Sequence, residues 1–302
     1  MRIVTFIKPL FAICVASSII ITGCKKSNNS SPTTAGDDST AANMSGTAAT
    51  ADNAYNDVLQ IALEGGLDNN IAYIASQASR GNVTTNGVHQ AYSVNGINSL
   101  SCATYTLTPA DTSTFPKTLV VDFGTGCTSN DGITRKGKIT YILTGKVLLP
   151  GTTISATFES YSVNNYQLEG TYSITNNSTL AGISFTTKVT SGKITFPDAT
   201  FYNYAGDKTI KMTAGMSTPT DPSDDVYSIT GSNSISSSAG NSLVANITTV
   251  LSKSYTCKHV SSGIVSFIYN NNIHGTLDFG NGTCDDQATI KVGTFTKNIT
   301  LN

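Results

Sequence analysis

Tryptophan is absent from this 302-residue chain, histidine occurs three times, and charged residues make up only 12% of it. Each shortage removes a class of function. The 18 Lys and Arg are balanced by 19 Asp and Glu. There is no cationic excess of the kind that displaces counterions from a nucleic acid, so no nucleic-acid partner is expected. Low charge also argues against a highly charged disordered chain, and the missing indole counts mildly against a sugar-stacking platform. His89, His259 and His274 fall in no His-Glu-x-x-His motif and beside no cysteine pair at zinc spacing, and no Gly-x-Ser-x-Gly elbow is present. Glutamate is equally scarce, at Glu64, Glu159 and Glu169. Glu159 and Glu169 flank Asn164-Asn165 and could face each other across a hairpin, but paired carboxylates act on glycosides only in a cleft and with matched pKa values. No catalytic residue, cofactor site or metal set is therefore expected.

Small neutral polar residues fill the space instead: 45 Thr, 35 Ser and 26 Asn, beside 39% hydrophobic residues. The chain opens with two cations, Arg2 and Lys8, and then an uncharged stretch that runs to Cys24. This is the layout of a secretory signal over residues 1–23, too short for a comfortable transmembrane helix and followed at once by Lys25-Lys26. Ile21-Thr22-Gly23-Cys24 resembles a bacterial lipobox. In that family the cysteine thiol receives a diacylglycerol and the signal is cut just before it. The resemblance makes Cys24 the expected lipidation site and a membrane the first expected partner, with each buried acyl CH₂ contributing about 0.8 kcal/mol. The expected location is the outer membrane, with the periplasmic face and the cell surface both open.

Residues 24–52 comprise the lipidated cysteine and a stretch rich in Ser, Thr, Ala and Gly. Met44 is its only large apolar residue, and the composition reads as a flexible tether. Asp38-Ser39-Thr40 resembles a short O-glycosylation sequon of Bacteroidetes, which marks Ser39 or Thr40 as a modification candidate. A short helical segment is expected over residues 53–80. Tyr55, Val58, Leu59 and Ala62 form one stripe, with Asp52 as N-cap and Gly65-Gly66 as stop, and Ile71, Ile74, Ala75 and Ala78 form a second.

Over residues 81–302 the period becomes two. Ile139, Tyr141 and Leu143 alternate with threonines, and Ile154, Ala156 and Phe158 with Ser155, Thr157 and Glu159. Turn signals at Asn164-Asn165, Asn176-Asn177, Pro197-Asp198, Ala239-Gly240-Asn241 and Asn270-Asn271-Asn272 divide the runs. Short connections force antiparallel neighbours. The expected fold is all-β, a long antiparallel meander of about a dozen strands forming a β-sandwich or a partly open barrel, with one face solvated.

Two segments of this region are alike. Each begins with a cysteine (Cys102, Cys257), reaches Asp-Phe-Gly (Asp122-Phe123-Gly124, Asp278-Phe279-Gly280) and then a second cysteine (Cys127, Cys284). A kinase reading of Asp-Phe-Gly fails for want of a glycine-rich nucleotide loop and a His-Arg-Asp segment. The conformational reading has the phenylalanines packed inward, the glycines at positive φ and the aspartates bonded to nearby amides. A calcium reading would gather Asp122 with Asp131, or Asp278 with Asp285 and Asp286, at no recognised loop spacing. Export favours oxidation. The midpoint of Cys102 and Cys127 falls in the turn-like stretch from Pro109 to Pro116, and that of Cys257 and Cys284 falls in the Asn270 turn. The expected bridges are therefore Cys102–Cys127 and Cys257–Cys284, each stapling the base of a hairpin and contributing about 3–4 kcal/mol.

The order of these features, from the lipobox through the run FPKTLVVDFGTGCTSNDGITRKGKI to LDFGNGTCDDQATI, resembles a family of uncharacterised Bacteroidetes lipoproteins. That resemblance implies an exported all-β lipoprotein and carries over no activity. One departure is Asp198-Ala199-Thr200, where the family more often has Asp-Gly. The function expected is a membrane-anchored, non-catalytic structural or protein-interaction β module. The alternatives are a carrier for an apolar ligand such as a lipid and, third, a hydrolase on a β scaffold. A carrier requires an unfilled apolar concavity.

Overall fold

The computed structural model describes residues 35–66, 100–111, 113–217 and 222–301. Among the described residues one α-helix, α1 (Ala35–Gly66), precedes fourteen strands. They are β1 (Thr104–Thr108), β2 (Lys117–Asp122), β3 (Cys127–Thr128), β4 (Thr134–Leu143), β5 (Thr153–Val163), β6 (Tyr166–Asn176) and β7 (Ser184–Thr195). They continue with β8 (Phe201–Ala214), β9 (Val226–Ser237), β10 (Ser242–Ser254), β11 (Ser262–Tyr269), β12 (Ile273–Asn281), β13 (Gln287–Val292) and β14 (Phe295–Thr300). All belong to one antiparallel sheet in sequence order, with the two-residue β3 paired to β4 beside the main path. The sheet does not close, because β1 and β14 are its two edges. The all-β antiparallel meander expected from the sequence is thus what forms, as one open curled sheet.

Strand periodicity accounts for the core. Leu119 and Val121 of β2, Ile139, Tyr141 and Leu143 of β4, and Ile154 and Ala156 of β5 are buried on one face. Asn164 and Asn165 both adopt positive φ in the two-residue β5–β6 turn, the conformation that matches the right-handed twist of paired strands.

The helix is where sequence and structure part. The tether expected to run to residue 52 gives way at Ala35, and Asp52 lies inside the helix instead of capping it. Alanine is the strongest helix former, and Asp37 and Asp38 in the first turn suit the positive end of the dipole. Ala41, Ser45, Ala48, Tyr55, Leu59 and Ala62 are all buried; with Asp52 they are spaced alternately four and three residues apart, a helical face made mostly of small side chains. Ala41, Ser45 and Ala48 look like part of a linker because none is large, yet they let the sheet approach closely. The helix ends at Gly66, as the Gly65-Gly66 stop predicts. The second stripe at Ile71–Ala78, Cys24 and His89 lie outside the described residues.

Between Asp52 and Val58 the helix makes contacts with β4, β5, β6, β7, β8 and β9. Six adjacent strands make about 24 Å of flat sheet, and they meet a rod of about 10–12 Å diameter. The sheet must therefore wrap around the helix. A row of bulges makes the bend. Register shifts fall at Gly137 between β4 and β5, at Ser160 between β5 and β6, at Gly170 between β6 and β7 and at Ser191 between β7 and β8. Backbones approach closely there: a Cβ on Gly137 would lie 2.3 Å from the Ser160 carbonyl oxygen, and one on Gly170 would lie 2.5 Å from that of Ser191.

Candidate functional site

A buried polar node, a half-buried one and a cavity lie where α1 meets the sheet. The first node is built on Asp57. Arg135, beside the Gly137 bulge, donates from Nε to Asp57 Oδ2 at 2.9 Å and from Nη2 to Asp57 Oδ1. The same guanidinium donates to both oxygens of Asp131, at 3.2 and 2.7 Å. Tyr161, next to the Ser160 bulge, donates its hydroxyl to Asp57 Oδ2 at 2.6 Å. The Phe123 ring of the first Asp-Phe-Gly segment lies 5.8 Å from the guanidinium carbon. Arg135, Asp57 and Asp131 have buried side chains. Burial disfavours the Arg135 charge, but hydrogen bonds and charge from Asp57 and Asp131 outweigh it and hold the group protonated. Tyr161 is pushed well above the usual phenol range by burial and by the neighbouring Asp57 charge.

The second node is built on Asp52. It takes an ion pair from Lys208 at 2.5 Å, a hydrogen bond from Asn233 Nδ2 at 3.0 Å and one from the Tyr204 hydroxyl. Between the nodes, the Tyr55 hydroxyl donates to the carbonyls of Glu169 at 2.8 Å and Lys193 at 3.3 Å. Its ring stacks on Tyr204 at 5.1 Å. Tyr141 donates its hydroxyl to the Val58 carbonyl at 2.9 Å. These groups grip the helix, and Arg135 and Tyr161 lie beside the Gly137 and Ser160 bulges. Re-aiming a side chain is what a bulge does.

The cavity, about 50 Å³, lies between residues 45–56 of α1 and the strands β9 to β12. Ile229, Leu243, Val265, Leu277, Phe279 and Leu301 give it an apolar wall, while Asp52, Lys208 and Asn233 stand on its helix side. The Asn233 Oδ1 atom is buried without a hydrogen-bond partner. The volume admits a few waters and is far below the roughly 300–1,000 Å³ of ligand sites. An acyl chain would enter only if the helix moved.

The cysteines pair as the sequence reading expects, Cys102 with Cys127 and Cys257 with Cys284, at Cα separations of 6.1 and 5.5 Å. The Asp-Phe-Gly segments follow the conformational reading. Asp122 accepts from the Gly124 amide at 2.8 Å and Asp278 from the Gly280 amide at 2.9 Å. Both phenylalanines are buried, and both glycines have positive φ. The oxygens of the calcium reading are otherwise engaged: Asp131 with Arg135, Asp122 with Lys138 at 3.4 Å, and Asp285 with the Gln287 amide at 2.9 Å. Among the described residues no cluster of three His, Cys, Asp or Glu could hold a metal ion.

Glu159 and Glu169 lie on adjacent strands on either side of the β5–β6 turn, and each faces a lysine on its other neighbour. Glu169 pairs with Lys193 at 2.7 Å on β7, while Glu159 stands opposite Lys138 on β4. His259 and His274 lie at opposite ends of the sheet; burial and the nearby charges of Lys258 and Lys253 push the His259 pKa down. Ser39 and Thr40, the glycosylation candidates, sit in the first turns of α1 and donate their hydroxyls to the Gly36 carbonyl. Arg135, Asp57 and Lys208 belong to no motif of the sequence, and Asp52 stood out there only as a helix cap. The legible signal was parity: Arg135 shares the odd-numbered inward face of β4 with Ile139, Tyr141 and Leu143. No family model, curated protein or solved structure matches the chain.

Proposed function

We propose that the chain is an exported envelope lipoprotein, held in the outer membrane through Cys24, whose β module has a structural or protein-interaction role and no catalytic activity. The observation that carries the non-catalytic reading is the filling of the concave face. The buried Asp57 and the half-buried Asp52 are both engaged in holding α1. General acid–base work needs a group poised near neutrality beside a free partner. Two disulfides suit an oxidising compartment. Because the helix begins at Ala35, only residues 25–34 separate it from Cys24, a reach of about 35 Å at full extension. The module is thus kept close to the bilayer and is not held out on a long stalk.

A lipid carrier is the second reading, favoured by the apolar cavity wall alone. Mass spectrometry of Cys24 in the native chain tests the anchor: a diacylglyceryl adduct is expected, lost in Cys24→Ser, and an unmodified Cys24 in a cleaved chain defeats it. Ester, glycoside and peptide substrates test the rest. Turnover abolished by changing Glu159, Glu169 or one histidine would refute the non-enzyme reading. Thermal stabilisation by fatty acid without turnover would favour the carrier.

A further inference from the structure

The open sheet leaves two edge strands, β1 and β14. An edge strand presents unpaired amides and carbonyls on which another strand can build. β1 runs directly into Pro109, which has no amide to offer. β14 runs for six residues with no proline. The turn at Gly293-Thr294 joins it to β13, in register from Val292 opposite Phe295 to Gln287 opposite Thr300. Just beyond, the Leu301 amide donates to the Asp286 carbonyl at 2.7 Å. That bond fixes the parity: odd-numbered residues bond to β13, and the amides and carbonyls of Thr296, Asn298 and Thr300 point away from it.

The same parity makes one side chain stand out. On the inner face of β13, Ala288, Ile290 and Val292 are apolar and buried. Their partners on β14 are Ile299, Lys297 and Phe295. Phe295 and Ile299 continue the apolar row, and Lys297, opposite the fully buried Ile290, breaks it. Lys297 is the one charged residue of β14 and is exposed. Its Nζ donates to Asn43 Oδ1 of α1 at 2.7 Å.

We propose that Lys297 guards the β14 edge, keeping a second copy of this chain from adding a strand to the sheet. An added strand would lie about 4.7–4.9 Å beyond β14. Its inner-face side chains would come within about 4.5–5.5 Å of Lys297. The ammonium would lose its water and keep a neutral partner, Asn43, and a charge buried without a counter-charge is costly. Self-pairing is worse. Two β14 strands set antiparallel with their inner faces together place Lys297 opposite itself or opposite Ile299 in the two longest ladders. The two ammoniums then stand face to face, or on a diagonal of roughly 7–8 Å.

The test uses the full-length chain in mild detergent, with protein mass read by light scattering and amide protection by hydrogen exchange. Lys297→Ile removes the charge and completes the apolar row, whereas Lys297→Thr removes the charge and leaves the row broken. Both are expected to raise the mass about two-fold or more over wild type and to slow exchange at Thr296, Asn298 and Thr300. Lys297→Arg keeps the charge, and Asn43→Ala keeps it while removing the hydrogen bond; both are expected to keep the wild-type mass. Asn298→Pro takes an amide from the free side of β14 without breaking a bond to β13. Added to Lys297→Ile, it is expected to restore the wild-type mass. Wild-type mass in both Lys297→Ile and Lys297→Thr overturns the guard. Association of Lys297→Ile alone overturns it too, because new apolar surface then explains the contact. Association that survives Asn298→Pro marks another surface or a misfolded chain and has the same consequence. Equal association of Asn43→Ala ties Lys297 to the seam with α1 instead of the edge, and the guard is again overturned.

Discussion

The two halves of α1 are held by different means. From Asp52 to Val58 the helix meets six strands through charge and hydroxyl contacts, all built around the Asp52 and Asp57 carboxylates and the Tyr55 ring. From Ala41 to Ala51 its buried positions are small apart from Met44, it faces the later strands, and a cavity remains beside it. Directional bonds to charged groups fix rotation and register. Small apolar contacts only exclude water and set how near the sheet can come. The first half specifies where the helix lies, and the second half permits it to fit.

Removing one carboxylate should break that comparison most sharply. Asp57→Ala removes the acceptor of Tyr161 and one of the two carboxylates on Arg135, and it is expected to cost about 3–5 kcal/mol in urea unfolding. A loss under about 1 kcal/mol would mean that the C-terminal half is not locked by this node.

Alkaline titration should come next. Burial, reinforced by the Asp57 and Asp52 charges, holds Tyr161 and Tyr204 well above the ordinary phenol range. A folded pKa above the unfolded one gives stability that is complete below about pH 10 and is lost as pH rises beyond it. Tyrosinate absorbance is therefore expected to appear in two stages, the buried phenols only with unfolding. A single early stage in native protein would contradict the packing.

Two alanines sharpen the other half. Ala51 is fully buried and does not line the cavity, so Ala51→Leu is expected to cost about 1–3 kcal/mol by overpacking. Ala48 lines the cavity, and Ala48→Val is expected to change stability by less than about 1 kcal/mol. Equal losses at the two sites would show that the empty volume is not accessible to added side chains.

The smallest effect belongs to a turn remote from the helix. Ala199 sits at φ 66° between β7 and β8, the position where the resembled family more often has glycine. Ala199→Gly is expected to raise the melting temperature and to stabilise by about 0.5–1 kcal/mol.

Much of the sheet was legible because strands announce themselves locally. Asn164-Asn165 fixed a turn by conformational preference. The spacing of Ile154, Ala156 and Phe158 followed by Tyr161 and Val163 recorded a bulge, since the apolar step lengthens from two to three where burial changes parity. The disulfide pairing followed from hairpin geometry. The helix was half legible: Tyr55, Val58, Leu59 and Ala62 form a stripe of bulky residues, while Ala41, Ser45 and Ala48 carry the same face in side chains too small to register as one. The nodes were less legible still. Nothing local couples Asp57 to Arg135, 78 positions apart, and only the inward parity of Arg135 hinted that a buried cation needed a partner.

The sequence by itself determined the period-two strands, their turns, the antiparallel order that short connections impose, and the two cysteine staples. All of these depend on residues close in the chain or symmetric about a turn. Only the tertiary structure decided that the sheet curls around its own N-terminal helix and that a linker-like composition becomes the filling of a trough. Those outcomes arise from a curvature accumulated over many bulged strands, which brings distant groups within bonding distance and lets burial decide which of them must pair.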